Sequence, residues 1–332
     1  MLMCFTACTQ TPLDRHHDAS ATNGQLLRQG VERLDPPRPE IPSPRSQRRP
    51  SDTVLIAGEP ISIGTRVVLF DESRGYSAYR GARYFNERRD EAGGGPLPAQ
   101  PLDRAGVEAL VDRVVMHYDV AGCSSRCFRT LQKERGLSCH FLLDLDGTLY
   151  QTLDLRERAW HAGTSNSRSV GIEIANVGAY PLGGRNPFGT WYRPHPDRPT
   201  RLVLPADSGV RHPEGVIGPA RDRPVVGRIH NRRLEQYDLT HAQYAALIKL
   251  TAALCRHLPR VTPDAPRDAN GVVRTSVMPT SDRIHFSGLI GHHHLTPEKI
   301  DPGPAFDWPR LLTGVKAELA AFPASKNPST DR

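Results

Sequence analysis

A histidine-rich loop near the carboxyl end of the chain constrains the fold more than any other segment. Residues 291–304 read Gly-His-His-His-Leu-Thr-Pro-Glu-Lys-Ile-Asp-Pro-Gly-Pro, which places three imidazoles, a lysine and two carboxylates between glycines and prolines. Glycine and proline at this density predict a shaped loop, which follows a strand at about 287–290 and precedes a helix that begins near Phe306. Side chains on such a loop can converge on one point.

The side chains of this loop are common zinc ligands. A catalytic zinc typically has three protein ligands and one open position. His292 and Asp301 can supply two of these ligands. We expect the third from His117, because it ends the apolar run 114–116, and a buried strand presents its last side chain at the sheet edge where sites in α/β folds form. The two histidines that follow His292 could bind in its place.

A carboxylate lies in a predicted central strand. Residues 169–176 alternate, with apolar side chains at 170, 172 and 174 on one face and Glu173 on the other. A carboxylate in a mostly apolar strand costs free energy unless it is paired or has a chemical task. Glu173 is therefore a candidate catalytic residue.

Three further residues are predicted to bind substrate. Trp160 and His161 lie in the small-residue loop 159–163 and would line a sugar or peptide groove. The alternative for this pair is a buried tryptophan beside a hydrogen-bonded histidine. Asn176 is the third predicted substrate-binding residue.

Periodicity indicates the remaining elements. Two short strands flank Asp146-Gly147, which is a strong hairpin signal, and His140 inside the first of them is interpreted as a structural core histidine. Apolar spacing predicts helices over 124–135, 240–258 and 306–322.

These elements predict one α/β domain with a central mixed β-sheet flanked by helices. The predicted parts are a signal-like segment and disordered tether at 1–50, a β-extension and linker packed on the core at 51–105, the domain itself at 106–325 with loop insertions at 178–235 and 259–286, and a disordered tail at 326–332.

Composition limits the partners. The 332 residues are 38% hydrophobic, which suffices for a large core, and no apolar run is long enough to span a membrane. The net charge of +7 and the pI near 9.2 predict attraction to an anionic polymer or surface. No aromatic-rich basic patch is present, so nucleic acid is not an expected partner.

The first eight residues are similar to the end of a bacterial lipoprotein signal, in which a cysteine after a small residue is lipidated. Cys8 stands in this position, and the alternative is a disordered terminus. Lipidation would attach the protein to the outer membrane on its periplasmic side, whereas an unexported chain would be cytoplasmic. Mass spectrometry of the mature N-terminus distinguishes the two.

Cys123 and Cys127 lie four residues apart at the start of a predicted helix. An exported protein could form a disulfide here, but ideal helical geometry holds the two too far apart unless the first turn is distorted. A disulfide and two free thiols both remain open.

Several short motifs occur together in an informative order. They are Val-Met-His at 115–117, Ser-Cys-His-Phe at 138–141, Asp-Gly-Thr at 146–148, Arg-Ala-Trp-His-Ala-Gly at 158–163, Val-Gly-Ile-Glu at 170–173, Gly-His at 291–292 and Lys-Ile-Asp-Pro-Gly-Pro-Ala-Phe-Asp-Trp at 299–308. In this order the chain resembles the zinc-dependent N-acetylmuramoyl-L-alanine amidases of the type 2 class, which are related to the peptidoglycan recognition proteins. The resemblance covers residues 114–308 with two interruptions.

The resemblance implies a cofactor, a mechanism and a substrate. His117, His292 and Asp301 would bind Zn²⁺. Glu173 would activate the attacking water, and Lys299 would lie near the developing oxyanion. The bond cleaved would be the amide between N-acetylmuramic acid and L-alanine in peptidoglycan or muropeptides, during cell-wall turnover or recycling.

Two residues depart from parts of this family. Some members carry a tyrosine where this chain has Cys139, and its absence removes a phenolic donor and leaves more of the task to Lys299. Many recognition proteins have a cysteine where this chain has Asp301, which favours the bacterial hydrolases.

Two other interpretations remain. A non-catalytic peptidoglycan-binding module would have lost part of the metal set, whereas this chain keeps all of it. A purely structural zinc would need a fourth side-chain ligand, from His293 or His294. The sequence leaves the oligomeric state and the accepted stem peptide open.

Overall fold

The computed structural model describes residues 51–88, 101–210 and 217–321. The signal-like segment with Cys8, the tether up to residue 50, most of the linker before residue 101 and the tail at 326–332 lie outside these residues. The interpretations of those segments stay predictions.

The described residues form fifteen short strands and six α-helices. The strands are β1 (Thr53–Ile56), β2 (Glu59–Ser62), β3 (Val67–Leu69), β4 (Phe85–Glu87), β5 (Arg113–Tyr118), β6 (Phe141–Leu143), β7 (Leu149–Gln151), β8 (Glu157–Ala159), β9 (Ser169–Ile174), β10 (Tyr180–Pro181), β11 (Tyr192–Arg193), β12 (Arg201–Leu202), β13 (Val225–Ile229), β14 (Arg232–Gln236) and β15 (Gly288–Gly291). The helices are α1 (Arg104–Leu110), α2 (Ser124–Arg129), α3 (Phe188–Trp191), α4 (His241–His257), α5 (Thr280–His285) and α6 (Trp308–Ala321). A π-helical segment, Thr130–Arg135, continues α2, and 3₁₀ turns cover Gly163–Arg168 and His292–His294.

Six strands form the central sheet, in the order β15-β5-β9-β6-β7-β3. The first four run parallel to one another, β7 is antiparallel to β6, and β3 is parallel to β7. The antiparallel step is the predicted hairpin, in which Gly147 has a φ of 81° and the N–H of Thr148 donates to the side chain of Asp146 at 2.9 Å. The prediction of a mixed sheet flanked by helices is confirmed.

One face of this sheet carries the main hydrophobic core. Val114 and Met116 of β5 and Ile172 of β9 are buried in a cluster shared with α4 and α6. Because side chains alternate along a strand, the intervening His117 and Glu173 project from the opposite face. The core therefore occupies one side of the sheet and leaves the other for polar groups.

Helix α4 forms as its sequence predicts. Thr240 and Gln243 make a capping box at its start, which satisfies backbone N–H groups that the first turn leaves unpaired. Leu247, Leu250 and Leu254 are fully buried, and burial of each contributes about 1.5–3 kcal/mol. No helix in the described part of the chain has both the length and the apolar character needed to cross a bilayer.

The segment before residue 89 is built into the core. We expected an extension packed on the domain, whereas β3 is the edge strand of the central sheet itself. Arg88 is fully buried and lies 3.0 Å from Nε2 of His140. Its guanidinium also donates to the carbonyl oxygens of Leu155, Asn166, Ser167 and Ser169. Burial lowers the pKa of Arg88 to about 9.

The first insertion contains regular structure that its sequence did not show. Strands β10, β14 and β13 form an antiparallel sheet, and β11 pairs with β12. These strands have two to five residues and expose several arginines, so their alternation is too short to be recognised. The second insertion contains α5 and an isolated bridge between Arg267 and Val273.

The two neighbouring cysteines are free thiols. Cys123 directly precedes helix α2, and Cys127 lies within this helix. Both side chains are buried, and no disulfide joins them. Of the two alternatives that the sequence left open, the structure supports the free thiols.

Replacement of Arg88 by methionine should lower the free energy of unfolding by about 2–4 kcal/mol. Buried acceptors left without a donor cost about 1–3 kcal/mol each, and release of the buried charge offsets part of that loss. Urea denaturation followed by circular dichroism measures the difference. Exposed Arg80, changed to methionine, is the control and should stay within about 0.5 kcal/mol of the wild type. Equal stability of the two variants would show that the buried guanidinium does not hold this segment.

Candidate metal centre

Three neighbouring parallel strands end at the candidate site. β5 and β9 pair with His117 opposite Glu173, and β15 pairs with β5 on its other side. His292 is the first residue after β15. The carboxyl ends of parallel strands meet at one edge of the sheet, which is where ligands bind in such folds. The strand register therefore brings these three predicted residues to one edge.

Asp301 joins the two histidines at this edge. Its Oδ2 lies 2.9 Å from Nδ1 of His117 and 3.1 Å from Nδ1 of His292, and all three residues are buried. One ligand atom from each lies within 4.8 Å of the others. Ligands of a tetrahedral zinc at about 2.1 Å are roughly 3.4 Å apart, so small shifts would fit these atoms around an ion. Two nitrogens and a carboxylate form a three-ligand set that leaves one position open.

Electrostatics also favour a cation between these groups. Burial lowers the pKa of His117 to about 4, so its imidazole is neutral and can coordinate a metal. Burial by itself would raise the pKa of Asp301, but the imidazoles of His292 and His117 hold that pKa well below its usual range. A buried carboxylate is thus ionised among imidazoles, and a divalent cation would compensate its charge.

Glu173 is half-buried on the same face of the sheet as the metal group. Burial raises the pKa of Glu173 well above its usual range, and the charges of Asp301 and Asp119 raise it further. The cations Lys299 and Arg135 act in the opposite direction. A carboxyl group with a raised pKa can take up and release a proton closer to neutral pH.

The two histidines after His292 turn away from the metal group. Nδ1 of His293 lies 3.0 Å from the carbonyl oxygen of Asp301. Nε2 of His294 donates to the carbonyl oxygen of Arg274 at 2.7 Å, and its Nδ1 accepts from a backbone N–H at 2.9 Å. These ring nitrogens bind the backbone, so His292 is the histidine of this triplet that faces the other two ligands.

The hairpin of β13 and β14, at the end of the first insertion, holds the loop that carries Asp301. Gln236 of β14 accepts a hydrogen bond from the N–H of Ala305 and donates to the carbonyl oxygen of Pro302, both at 3.0 Å. His230 donates from Nε2 to the carbonyl oxygen of Lys299 at 2.8 Å. Sequence analysis missed both residues, because their partners lie more than 60 positions away and no local pattern marks them.

His161 supports His117 from the side opposite the metal group. Its Nδ1 lies 3.0 Å from Nε2 of His117, and its Nε2 lies 3.2 Å from Oγ of Ser169. When Nδ1 of His117 binds a metal, its proton is on Nε2 and the neutral ring of His161 must accept it as a hydrogen bond. Burial lowers the pKa of His161 well below its usual range, which keeps the ring neutral. The sequence feature that marks this close packing is Gly171, a glycine inside a strand. A Cβ at this position would lie 2.7 Å from the ring of His161.

The remaining predicted substrate-binding residues have contacts within the protein. Trp160 is half-buried, and its indole N–H donates to Oδ1 of Asn86 at 3.0 Å. Asn176 is buried, donates to the carbonyl oxygen of Tyr237 and accepts from the N–H of Gly178. His161 is hydrogen-bonded, as the alternative interpretation of its loop has it, whereas Trp160 is only half-buried. Substrate contacts by these three residues stay predictions.

Two histidines and an aspartate that leave one position open are the ligand set of one class of catalytic zinc sites. Comparison with known families narrows this class. The N-acetylmuramoyl-L-alanine amidase family matches residues 108–304, which is more than half of the chain. The chain belongs to this family, as its motifs predicted.

Individual relatives are distant. The 1,6-anhydro-N-acetylmuramyl-L-alanine amidase AmpD of Haemophilus influenzae is 22% identical over 189 residues, a match that spans 54% of this chain and 59% of that protein. The solved structure of AmiD from E. coli, in complex with the substrate anhydro-N-acetylmuramic acid-L-Ala-D-γ-Glu-L-Lys, is 18% identical with a TM-score of 0.34 and covers 70% of this chain and 66% of its own. AmpDh3 from Pseudomonas aeruginosa, in complex with anhydromuramic pentapeptide, is 17% identical with a TM-score of 0.34. The match covers 68% of this chain and 66% of the AmpDh3 chain. The family assignment rests on the sequence match over residues 108–304.

Removal of the acceptor on His161 should weaken zinc binding. We expect His161→Leu to raise the zinc dissociation constant about 10–100-fold, because it leaves Nε2 of His117 without its partner. His161→Asn keeps an acceptor near the position of Nδ1 and should lose less affinity. Competition with a chromophoric chelator measures both variants, with circular dichroism to establish folding. Wild-type zinc affinity in folded His161→Leu would contradict the supporting role.

Proposed function

We propose that this protein is a zinc-dependent amidase that cleaves the bond between N-acetylmuramic acid and L-alanine in peptidoglycan or muropeptides. The observation that carries the proposal is the buried group of His117, His292 and Asp301, with Glu173 on the same sheet face. Membership of the amidase family supports it. The relatives AmiD and AmpDh3 are described in complex with anhydromuramyl peptides, which supports a muropeptide substrate.

The residues of the site suit hydrolysis of an amide. His117, His292 and Asp301 would hold the zinc, which when bound polarises the amide carbonyl and lowers the pKa of a water molecule. Glu173 would take a proton from the attacking water on its carboxylate and deliver it to the leaving nitrogen. The ammonium group of Lys299 would stabilise negative charge that develops on the carbonyl oxygen. The positive net charge of the chain suits an anionic glycopeptide.

A purely structural zinc is a weaker alternative for the described residues. It would need a fourth ligand, and the candidates His293 and His294 use ring nitrogens for hydrogen bonds to the backbone. An ion held by the three ligands would therefore keep a position for water or substrate.

Removal of zinc should abolish cleavage of a muramyl peptide. We expect dialysis against a strong chelator to reduce the release of peptide amine to background, and one equivalent of zinc to restore it, because the bound ion would polarise the amide carbonyl and lower the pKa of the attacking water. Cleavage that survives complete zinc removal would refute the mechanism. Binding of the muramyl peptide without any cleavage by the zinc-loaded protein would instead support a binding module.

Glu173→Gln should separate zinc binding from catalysis. The substitution removes the proton acceptor but no metal ligand, so we expect kcat to fall about 10²–10⁴-fold while the zinc content stays at one per chain. Glu134→Gln, on the exposed surface of the π-helical segment, is the matched control and should keep wild-type kcat. Wild-type kcat in folded Glu173→Gln would remove this residue from the mechanism.

A further inference from the structure

A cavity lies against the loop that carries two of the candidate metal ligands, His292 and Asp301. Its volume is about 590 Å³, which is within the range of small-molecule sites. Three parts of the chain form it: β13 of the first insertion, residues 267–275 of the second, and the start of α6. His293, Gly303 and Pro304 form the wall shared with the metal loop, and none of the three candidate metal ligands lines the cavity.

The inner surface of this cavity is apolar. Ile229, Phe306, Trp308 and Leu312 line it, and each is at least nine-tenths buried in the protein. Val272 also lines the cavity, and 60% of this residue is exposed, so much of its apolar surface is in contact with water. An apolar ligand would remove this surface from water, which is favourable in proportion to the area covered.

The charged side chains that line the cavity are all cationic. They are Arg228, Arg267, Arg274 and Lys316, and no aspartate or glutamate lines it. Arg267 is paired with Asp264 at 2.8 Å. Across residues 51–88, 101–210 and 217–321, no carboxylate forms an ion pair with Arg228 or Arg274. Cations without partners around an apolar cavity attract an anion, because low-dielectric walls strengthen their field.

We propose that this cavity binds a small anionic amphiphile, which is a molecule with a carboxylate or similar anion on an apolar body. The apolar body would contact Phe306 and Trp308, and the anion would lie between Arg228 and Arg274. A muropeptide fits less well, because the uncharged polar side chains of the lining are Thr275, Thr313 and His293, too few to pair its many hydroxyl and amide groups. The ring nitrogens of His293 already contact backbone carbonyl oxygens. The occupant would press against His293, whose Nδ1 contacts the carbonyl oxygen of Asp301.

Binding of anilinonaphthalene sulfonate to the full chain tests this proposal. This probe is an anion on an apolar body, and phenylnaphthylamine has the same body without the charge. We expect one saturable site for the sulfonate. The neutral probe should have a dissociation constant about tenfold higher or more, since only the sulfonate interacts with the arginines. Energy transfer from tryptophan to the bound sulfonate should decrease in Trp308→Phe, which keeps the cavity apolar.

Two arginines of one hairpin give a matched pair of variants. Arg228 and Arg233 are paired across β13 and β14 and both are exposed, but only Arg228 lines the cavity. We expect Arg228→Glu to weaken binding of the sulfonate about tenfold or more and Arg233→Glu to weaken it clearly less, because the reversed charge at position 233 lies outside the lining and acts on the anion from a greater distance. Lys316→Glu, on exposed surface of α6, should weaken binding in the same direction. Circular dichroism establishes that each variant is folded.

Competition identifies the class of ligand. Decanoate should displace the sulfonate, and decanol should do so more weakly. Equal affinity of Arg228→Glu and Arg233→Glu for the sulfonate would overturn the proposal, as would equal binding of the charged and neutral probes. Displacement by a muramyl dipeptide but not by decanoate would also overturn it. These binding measurements require no catalytic turnover, so they are independent of the proposed amidase activity.

Discussion

The parallel register of β15, β5 and β9 is the constraint on which the candidate site depends. It sets His117 beside Glu173 and brings the start of the histidine loop to the same edge of the sheet. The apolar residues that alternate with these polar ones anchor the strands in the core under α4 and α6. A slip of one residue in any of these strands would turn the polar groups into that core, which would bury them without partners. The same strand register is therefore needed to pack the core and to place the residues of the candidate site.

Asp301 is the member of the metal group that no strand positions. It lies in a loop of prolines and glycines, and its place depends on hydrogen bonds from more distant parts of the chain. Gln236 and His230 hold this loop from the first insertion, and the carbonyl oxygen of Arg274 binds the histidine triplet from the second. The insertions are thus supports of the site. The cavity lined by Phe306 and Trp308 lies where the insertions meet α6, so it adjoins the loop that they hold.

A layer of neutral imidazoles lies under the metal group. His117 contacts His161, and His161 contacts Ser169, so these contacts connect the candidate ligand His117 to the beginning of β9. Burial lowers the pKa of both rings, which is what a ligand and its hydrogen-bond acceptor require. Close to them, His140 accepts from the N–H of Gly171 and contacts Arg88. The segment before residue 89 thereby belongs to the support of the site.

The sequence by itself determined the elements with a clear period and the residue types of the candidate site. The alternation around Glu173, the Asp-Gly hairpin and the amphipathic stripe of α4 all depend on neighbours within a few residues, so a local pattern records them. The residue types of His117, His292 and Asp301 were sufficient to propose a zinc site. Only the tertiary structure decided which histidine of the triplet faces inward, that His161 contacts His117, that β3 belongs to the sheet, and that the first insertion forms strands. Each of these depends on strand pairing or hydrogen bonds between residues far apart in the chain. Such contacts produce no local periodicity in the sequence, because the packing of the whole domain determines which residues meet.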